Sequence, residues 1–549
     1  MAVSALPVPT RADLPLQSSA RVTAGSVRVA PVVEYGARRT LIVIGVMLAA
    51  LLQTLDATIV NVALPTIEGN VGATIDDGTW IITGYIISNV VAIPLAPYFL
   101  QRFGRRQYYA TSIVGFTVAS FLCGTATTLQ TLVAFRIIQG MFGGGLIATS
   151  QIILRDTFPP EKLGTSSALF AVALTFGPAL GPTLGGALTD QFSWPWVFDI
   201  NLVPGSIAAL IVLTTLRNPT KPQRIPLDTV GIALLAVALG CMQYVLDEGE
   251  RHDWFGDSGI VTLSIACAAG LGAFIWWELY GARRPIVDLR IFRYRNLRFG
   301  LPVALMLGMT VFGPTVLLPQ YAQRTLGFTA TLAGLLVLTR ALPVLVLTPL
   351  VARVATRFDF RFPLALGFAL SAVSALGLSS HMTTSSEFGT FFVWLVIGGI
   401  GQSMLLVPLL VGILGSVAPQ DSPKASSFVS LSVQLGGSII STLLITLFDR
   451  RTYFHSDILR GAVTLAHPKV RALAALPHGT VQLAALVRQQ AESAGFADAI
   501  FFLLPLSALA VALSAMLQRR KPATGPLAPQ PQVSNLRSAE TPKVTRKPV

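Results

Sequence analysis

The chain has 549 residues, 52% of them apolar and only 12% charged, with a mean hydropathy of +0.65 and a formal net charge of +14. Soluble domains carry about a quarter charged residues, so a water-soluble globular protein is excluded and an all-α polytopic membrane protein is expected. The basic surplus is scattered over many short loops, which argues against nucleic acid as a partner.

Residues 1–39 are rich in Pro, Ala, Val, Ser and Arg and lack an early apolar core, so a disordered cytoplasmic tail is predicted rather than a cleavable signal peptide. Apolar runs of spanning length follow at 40–64, 79–100, 108–127, 129–153, 163–188 and 197–216, giving a six-helix unit over 40–217. Two more, 227–246 and 258–280, fall within 218–297, which closes on a basic cytoplasmic loop. The last six, at 298–320, 329–352, 363–381, 389–414, 425–448 and 497–518, form a second unit over 298–518. Fourteen membrane helices are therefore expected. Residues 449–496 read as a long periplasmic loop with a short surface helix at 481–493. Residues 519–549, polar and Pro-rich, read as a second disordered cytoplasmic tail.

The short loops set the orientation. On one side lie Arg102, Arg105, Arg106, Arg155, Lys162, Arg217, Lys221, Arg224, Arg283, Arg284, Arg290, Arg293, Arg295, Arg298, Arg353, Arg357, Arg361 and Lys424; the other side has Arg251 and Arg324. Positive residues mark the cytoplasmic side, so both termini are placed there, beside anionic lipid headgroups.

Charges inside the apolar runs are the candidates for chemistry, because an ionisable group at that depth is costly and marks an ion or substrate path. Asp56 in the first run and Arg136 in the fourth lie about 12 Å and about 10 Å from the outer ends of antiparallel helices, at ~1.5 Å per residue. An Asp–Arg pair at one depth reduces the cost of each charge. It acts either as a proton-sensitive switch or as a permanent ion pair fixing the packing. Arg340 in the tenth run has three open roles: binding backbone carbonyls, lining a wet cavity, or meeting Asp56 across the molecule.

The fifth run contains Gly177, Pro178, Gly181, Pro182, Gly185 and Gly186. Glycines every four residues make a side-chain-free stripe that admits a neighbouring helix, and each proline removes a backbone donor and bends the helix. Ordinary glycine packing and a rocking interface both fit. The turn Arg102-Phe103-Gly104-Arg105-Arg106 reads as a tight basic loop, at minimum a topology anchor. Cys123, Cys241 and Cys267 lie far apart in apolar runs and read as buried inert thiols. His252, His381, His455, His467 and His478 lack metal-ligand spacing. No metal, phosphate-binding loop or other cofactor is expected, nor an enzymatic activity.

In order along the chain, Leu55-Asp56 through Pro65, Arg102 to Arg106, Arg136-Ile137-Ile138-Gln139-Gly140 and Gly177 to Gly186 resemble the motifs of a known family. Gly249 to Phe255 and Arg290-Ile291-Phe292-Arg293 agree. The chain is similar, over residues 40–518, to the fourteen-helix drug:proton antiporters of the EmrB/QacA type in the major facilitator superfamily. The resemblance implies the major facilitator fold: two six-helix bundles with two additional helices between them, rocking about a central cavity. It also implies proton-driven export of hydrophobic or cationic compounds across a bacterial inner membrane. Asp56, Arg136 and Arg340 become coupling or translocation residues, and the Gly177–Gly186 face becomes the bundle interface. Relatives in Gram-negative bacteria work with a periplasmic adaptor and an outer-membrane channel, for which 449–496 is the available docking segment. The chain departs from the family pattern at Pro97, Gln101 and Val433, where Gly, Asp and Arg are usual. Export of a single endogenous metabolite or siderophore is the alternative on the same fold. Trp80, Tyr85, Phe312, Phe392 and Trp394 either contact cargo or face lipid and core.

Overall fold

The computed structural model describes residues 33–519, apart from 74, 160–161, 219–225, 227, 283–284, 358, 464–467 and 477. The expected tails over 1–32 and 520–549, and the loop residues Lys221, Arg224, Arg283 and Arg284, lie outside the described residues. Fourteen long helices dominate: α1 (Gly36–Val71), α2 (Trp80–Phe103), α3 (Arg105–Gly124), α4 (Leu129–Thr157), α5 (Leu163–Gln191), α6 (Trp196–Thr215), α7 (Thr229–Glu248) and α8 (Ser258–Gly281). Then come α9 (Arg295–Arg324), α10 (Ala330–Arg357), α11 (Arg361–His381), α12 (Phe388–Leu414), α13 (Ser422–Ala462) and α14 (Gly479–Ala515). Thirteen are long and apolar enough to cross a membrane. The other, α3, opens on Arg105, Arg106 and Gln107 and hides Ser112, Thr117 and Ser120 inside its bundle.

The same pairing occurs twice. In the first half α1 packs on α5 and α6, α2 on α4, and α3 on α4 and α6; in the second, α9 packs on α13 and α14, α10 on α12, and α11 on α12 and α14. These are two six-helix bundles. The additional hairpin α7–α8 rests on α2 of the first bundle, and α7 also reaches α13 of the second. The bundles meet most extensively along α5 and α10.

Helix ends depart from the hydropathy boundaries. The tail expected to run to residue 39 stops earlier, because α1 is already helical at Gly36; it closes at Gly72, whose φ of 65° suits glycine. The predicted loop 449–496 is largely helical. α13 has 41 residues, about 60 Å of helix at ~1.5 Å per residue, against a hydrocarbon core of about 30 Å. The surface helix expected at 481–493 is the first part of α14. Both helices continue because they hold each other: Phe448 stacks on Phe496 at 4.0 Å, and Asp498 accepts from Arg451 and pairs with His455. Hydropathy records where lipid ends, not where a helix ends.

The end at which α1 begins carries most of the arginines and is called the arginine-rich end below. There the halves share one apolar cluster, which includes Ile42, Leu154 and Phe170 from the first bundle and Leu297, Phe360 and Leu410 from the second. Toward the opposite end each bundle closes its own cluster, around Phe198 in the first and Phe496 in the second.

Candidate functional site

Asp56 and Arg136 meet at the centre of the first bundle. Arg136 Nη1 donates to Asp56 Oδ2 at 2.7 Å, and both side chains are completely buried, at 1% and 0% exposure. Asp56 Oδ1 accepts from Gln139 Nε2 at 2.9 Å and from Asn201 Nδ2 at 3.0 Å. Arg136 spends its other donors on Gln139 Oε1 at 2.8 Å and, through Nε, on the Ile81 carbonyl at 3.1 Å. Asn201 also donates to Ser120 Oγ, which in turn donates to the Phe198 carbonyl, each at 2.9 Å. The guanidinium carbon sits 4.0 Å from the Tyr85 ring centroid, a cation–π contact worth up to about 2 kcal/mol when desolvated. Cys123 Sγ lies 3.6 Å from Gln139 Oε1, so this thiol belongs to the network. Helices α1, α2, α3, α4 and α6 therefore converge on one carboxylate. Such a pair persists in a dry interior only when the remaining donors and acceptors are filled.

Beside the pair lies a cavity between the halves. Its polar lining is Gln53, Thr54, Tyr85, Asn89, Gln151, Ser430 and Gln434; its apolar lining includes Phe170, Leu174, Phe312, Leu406, Val429 and Val433. Among the described residues, no charged side chain lines it. Several of the polar groups are deeply buried without a hydrogen-bond partner among the described residues: Gln53 Oε1, Tyr85 OH, both amide atoms of Asn89, and Gln151 Nε2. Buried polar atoms normally have partners, so these are groups suited to a guest. The walls touch at the arginine-rich end. Ser426 Oγ donates to Gln151 Oε1, Ser427 Oγ to the Ile93 carbonyl at 2.7 Å, and Arg155 to the Leu414 carbonyl at 3.3 Å. Pro97 has no N–H to offer the carbonyl four residues back; the Ile93 carbonyl takes the Ala96 N–H of the 3₁₀ turn over Ile93–Leu95 instead, and also accepts from Ser427.

Arg340 does not join Asp56. Its Nη2 donates to the Thr310 carbonyl at 2.9 Å within the second bundle, and Nε and Nη1 are buried without partners among the described residues. It holds the place that Tyr85 holds in the first bundle. A Cβ on Gly140 of α4 would fall 2.4 Å from the Tyr85 carbonyl, and one on Gly399 of α12 would fall 2.2 Å from the Arg340 carbonyl.

The glycine stripe of α5 faces α1 and not the second bundle, which corrects the expected interface. A Cβ on Gly177 would lie 1.9 Å from Thr54 Oγ1, on Gly181 2.1 Å from Thr58 Oγ1, and on Gly185 2.6 Å from the Ile59 carbonyl. Threonines four apart on α1 press into the stripe, so the glycines serve packing inside one bundle. The face of α5 toward α10 carries Ala179, packed with Val337 and Ala341, and Thr183, against which Gly334 closes. Pro178 lines the cavity, Pro182 lies within the same helix, and Gly186 is buried.

The basic loop is also a built structure. Gly104 turns the chain at φ 82°; Arg105 Nη1 pairs with Asp156 Oδ2 at 3.1 Å and its Nη2 donates to the Arg217 carbonyl. Arg106 N–H donates to Asn218 Oδ1 at 2.8 Å, and Arg102 Nη1 to Tyr98 OH at 3.0 Å. Asp156, from α4, is the carboxylate that meets Arg105 in this loop.

The paired repeats, the shared cavity and the buried ion pair define a two-bundle membrane transporter, and the chain belongs to the Major Facilitator Superfamily, whose family profile matches residues 46–332 and 300–466. It is 34% identical over 439 residues, 80% of this chain and 86% of the relative, to "Multidrug export protein EmrB" of Escherichia coli strain K12. It is 35% identical over 422 residues, 76% of this chain and 83% of the relative, to "Fatty acid resistance protein FarB" of Neisseria gonorrhoeae. The human organic anion transporter MFSD10 shares the fold, with a TM-score of 0.59 at 15% identity over 87% of this chain and 99% of that one.

Proposed function

We propose that this chain is a proton-coupled efflux antiporter of the bacterial inner membrane, exporting hydrophobic compounds by alternating access. The observation that carries the reading is a fully buried Asp56–Arg136 pair beside a cavity between two repeated bundles. A carboxylate at that depth can take a proton without leaving the protein, and protonation weakens its hold on Arg136. The names of the relatives, a multidrug exporter and a fatty acid resistance protein, support outward movement of apolar cargo. The positive-inside rule places the arginine-rich end and both termini in the cytoplasm. The halves are then sealed on the cytoplasmic side, at Gln151–Ser426 and Ile93–Ser427.

The cavity wall narrows the cargo. With Val433 where the pattern of the resembled family often has Arg, its lining offers aromatic and aliphatic surface and amide tips, and no carboxylate among the described residues. Uncharged molecules fit this wall better than the cationic compounds also expected from the resemblance. Export of a single endogenous metabolite uses the same cavity and remains the second reading, favoured by its specific set of amide tips. The projecting parts of α13 and α14, with Tyr453, Ile458, Val481 and Leu486 exposed, are offered as the docking surface for a periplasmic adaptor leading to an outer-membrane channel.

Purified protein in proteoliposomes tests the reading. An imposed pH gradient is expected to drive movement of the uncharged dye N-phenyl-1-naphthylamine far better than that of ethidium. Transport of either dye unaffected by collapse of the gradient would overturn the proton coupling.

A further inference from the structure

Tyr85 both lines the cavity and contacts Arg136. Its ring face covers the guanidinium at 4.0 Å, while its hydroxyl, on a side chain 2% exposed, faces the Gln53 amide of the cavity wall and makes no hydrogen bond of good geometry among the described residues. An unpaired buried hydroxyl calls for a reason. The backbone at this point is held by α4, because Gly140 lets the helices approach until a Cβ would touch both the Tyr85 carbonyl and Ser88 Oγ. The ring and hydroxyl are thus the movable part of a fixed contact.

We propose that Tyr85 is the positioning residue through which cargo and Asp56 sense each other. The hydroxyl hydrogen-bonds a polar group of the cargo, and the ring holds Arg136 against the carboxylate. This rests on the antiporter reading above. Asp56 is faced by Arg136 and Gln139 from α4, Asn201 from α6, Ser120 and Cys123 from α3, and Tyr85 from α2; Arg136 is the one charged group among them. Cargo that turns the ring therefore changes the setting of the counter-charge on which the Asp56 proton depends. By linkage, a proton on Asp56 changes cargo affinity by the same factor.

The test is equilibrium binding of radiolabelled N-phenyl-1-naphthylamine to the purified full-length protein at pH 6 and pH 8.5, with proton release followed in weak buffer. Wild type is expected to differ about tenfold in affinity between the two pH values, within the usual range of coupling between sites, and to release protons on binding dye. Tyr85→Phe, which removes only the unpartnered hydroxyl, should bind more weakly, lose most of that ratio and release few protons. Gln434→Ala, on the far wall, should weaken binding at both pH values and keep the ratio, so loss of affinity alone does not mimic the effect. A tenfold ratio retained in Tyr85→Phe overturns the role of Tyr85 and leaves proton-driven transport standing. A wild type with no pH-dependent binding overturns both.

Discussion

Asp56 is held by three side-chain donors from two helices, and the cost of removing its partner follows from that. Arg136→Met strands a carboxylate with no counter-charge, and breaking a buried pair this way costs about 3–5 kcal/mol. Thermal unfolding in detergent should show it, with Arg136→Met melting well below the double variant Asp56→Asn/Arg136→Met; equal melting would mean the pair is not the stabilising unit. Asp56 and Arg136 were legible in the sequence because a charge inside an apolar run stands out. Gln139 stood inside the Arg136–Gly140 motif without its partner being readable, and Asn201 and Ser120 were not legible, since a neutral polar residue in such a run does not announce which face it occupies. The one signal of Asn201 and Ser120 is being an amide and a hydroxyl where neighbouring positions are largely apolar. Arg340 was just as visible, yet only the repeat shows that it occupies the place of Tyr85 in the other bundle.

Elements obey the same distinction between what hydropathy reports and what packing decides. The Gly177, Gly181, Gly185 spacing announces a close approach but not by which helix, and the partner is α1. Gly181→Ala should therefore abolish proper packing, and Thr58→Ala should restore part of it by removing the Oγ1 that stands 2.1 Å from the new Cβ. Measured as transport and melting temperature of the two single variants and the double, no rescue would place the clash elsewhere. The linker ahead of α9 gives a pH prediction. Burial acts to raise the Asp288 carboxyl, but the 2.9 Å bond from Lys424, the Lys424 charge, and the Arg290 N–H and charge together outweigh it and hold the group below its usual range. A depressed folded value contributes stability above the ordinary carboxylate pKa, about 3.9, and loses it as pH falls through the folded value. Lys424→Met should lower the melting temperature modestly at pH 7 and converge with wild type once pH falls below the folded value, so that its acid limb is flatter; a difference from wild type that persists unchanged into acid would contradict the assignment.

At the scale of the whole molecule, the two repeated bundles were implied by the family resemblance, whereas the fourteen spans were readable from apolar runs. The arrangement of the halves was not, because contacts such as Gln151–Ser426 and Ile93–Ser427 join residues hundreds of positions apart. Replacing the native cysteines and introducing Gln151→Cys with Ser426→Cys should give a pair that cross-links readily on oxidation, stops transport, and recovers with reductant. Transport that continues through the cross-link would mean that the arginine-rich end need not open. The account stands most directly on one comparison: wild type against Asp56→Asn in proteoliposomes, with dye accumulation under a pH gradient measured beside dye exchange without one. The account predicts that Asp56→Asn keeps exchange and loses gradient-driven accumulation. Accumulation equal to wild type in that variant would contradict it and place proton coupling at another group.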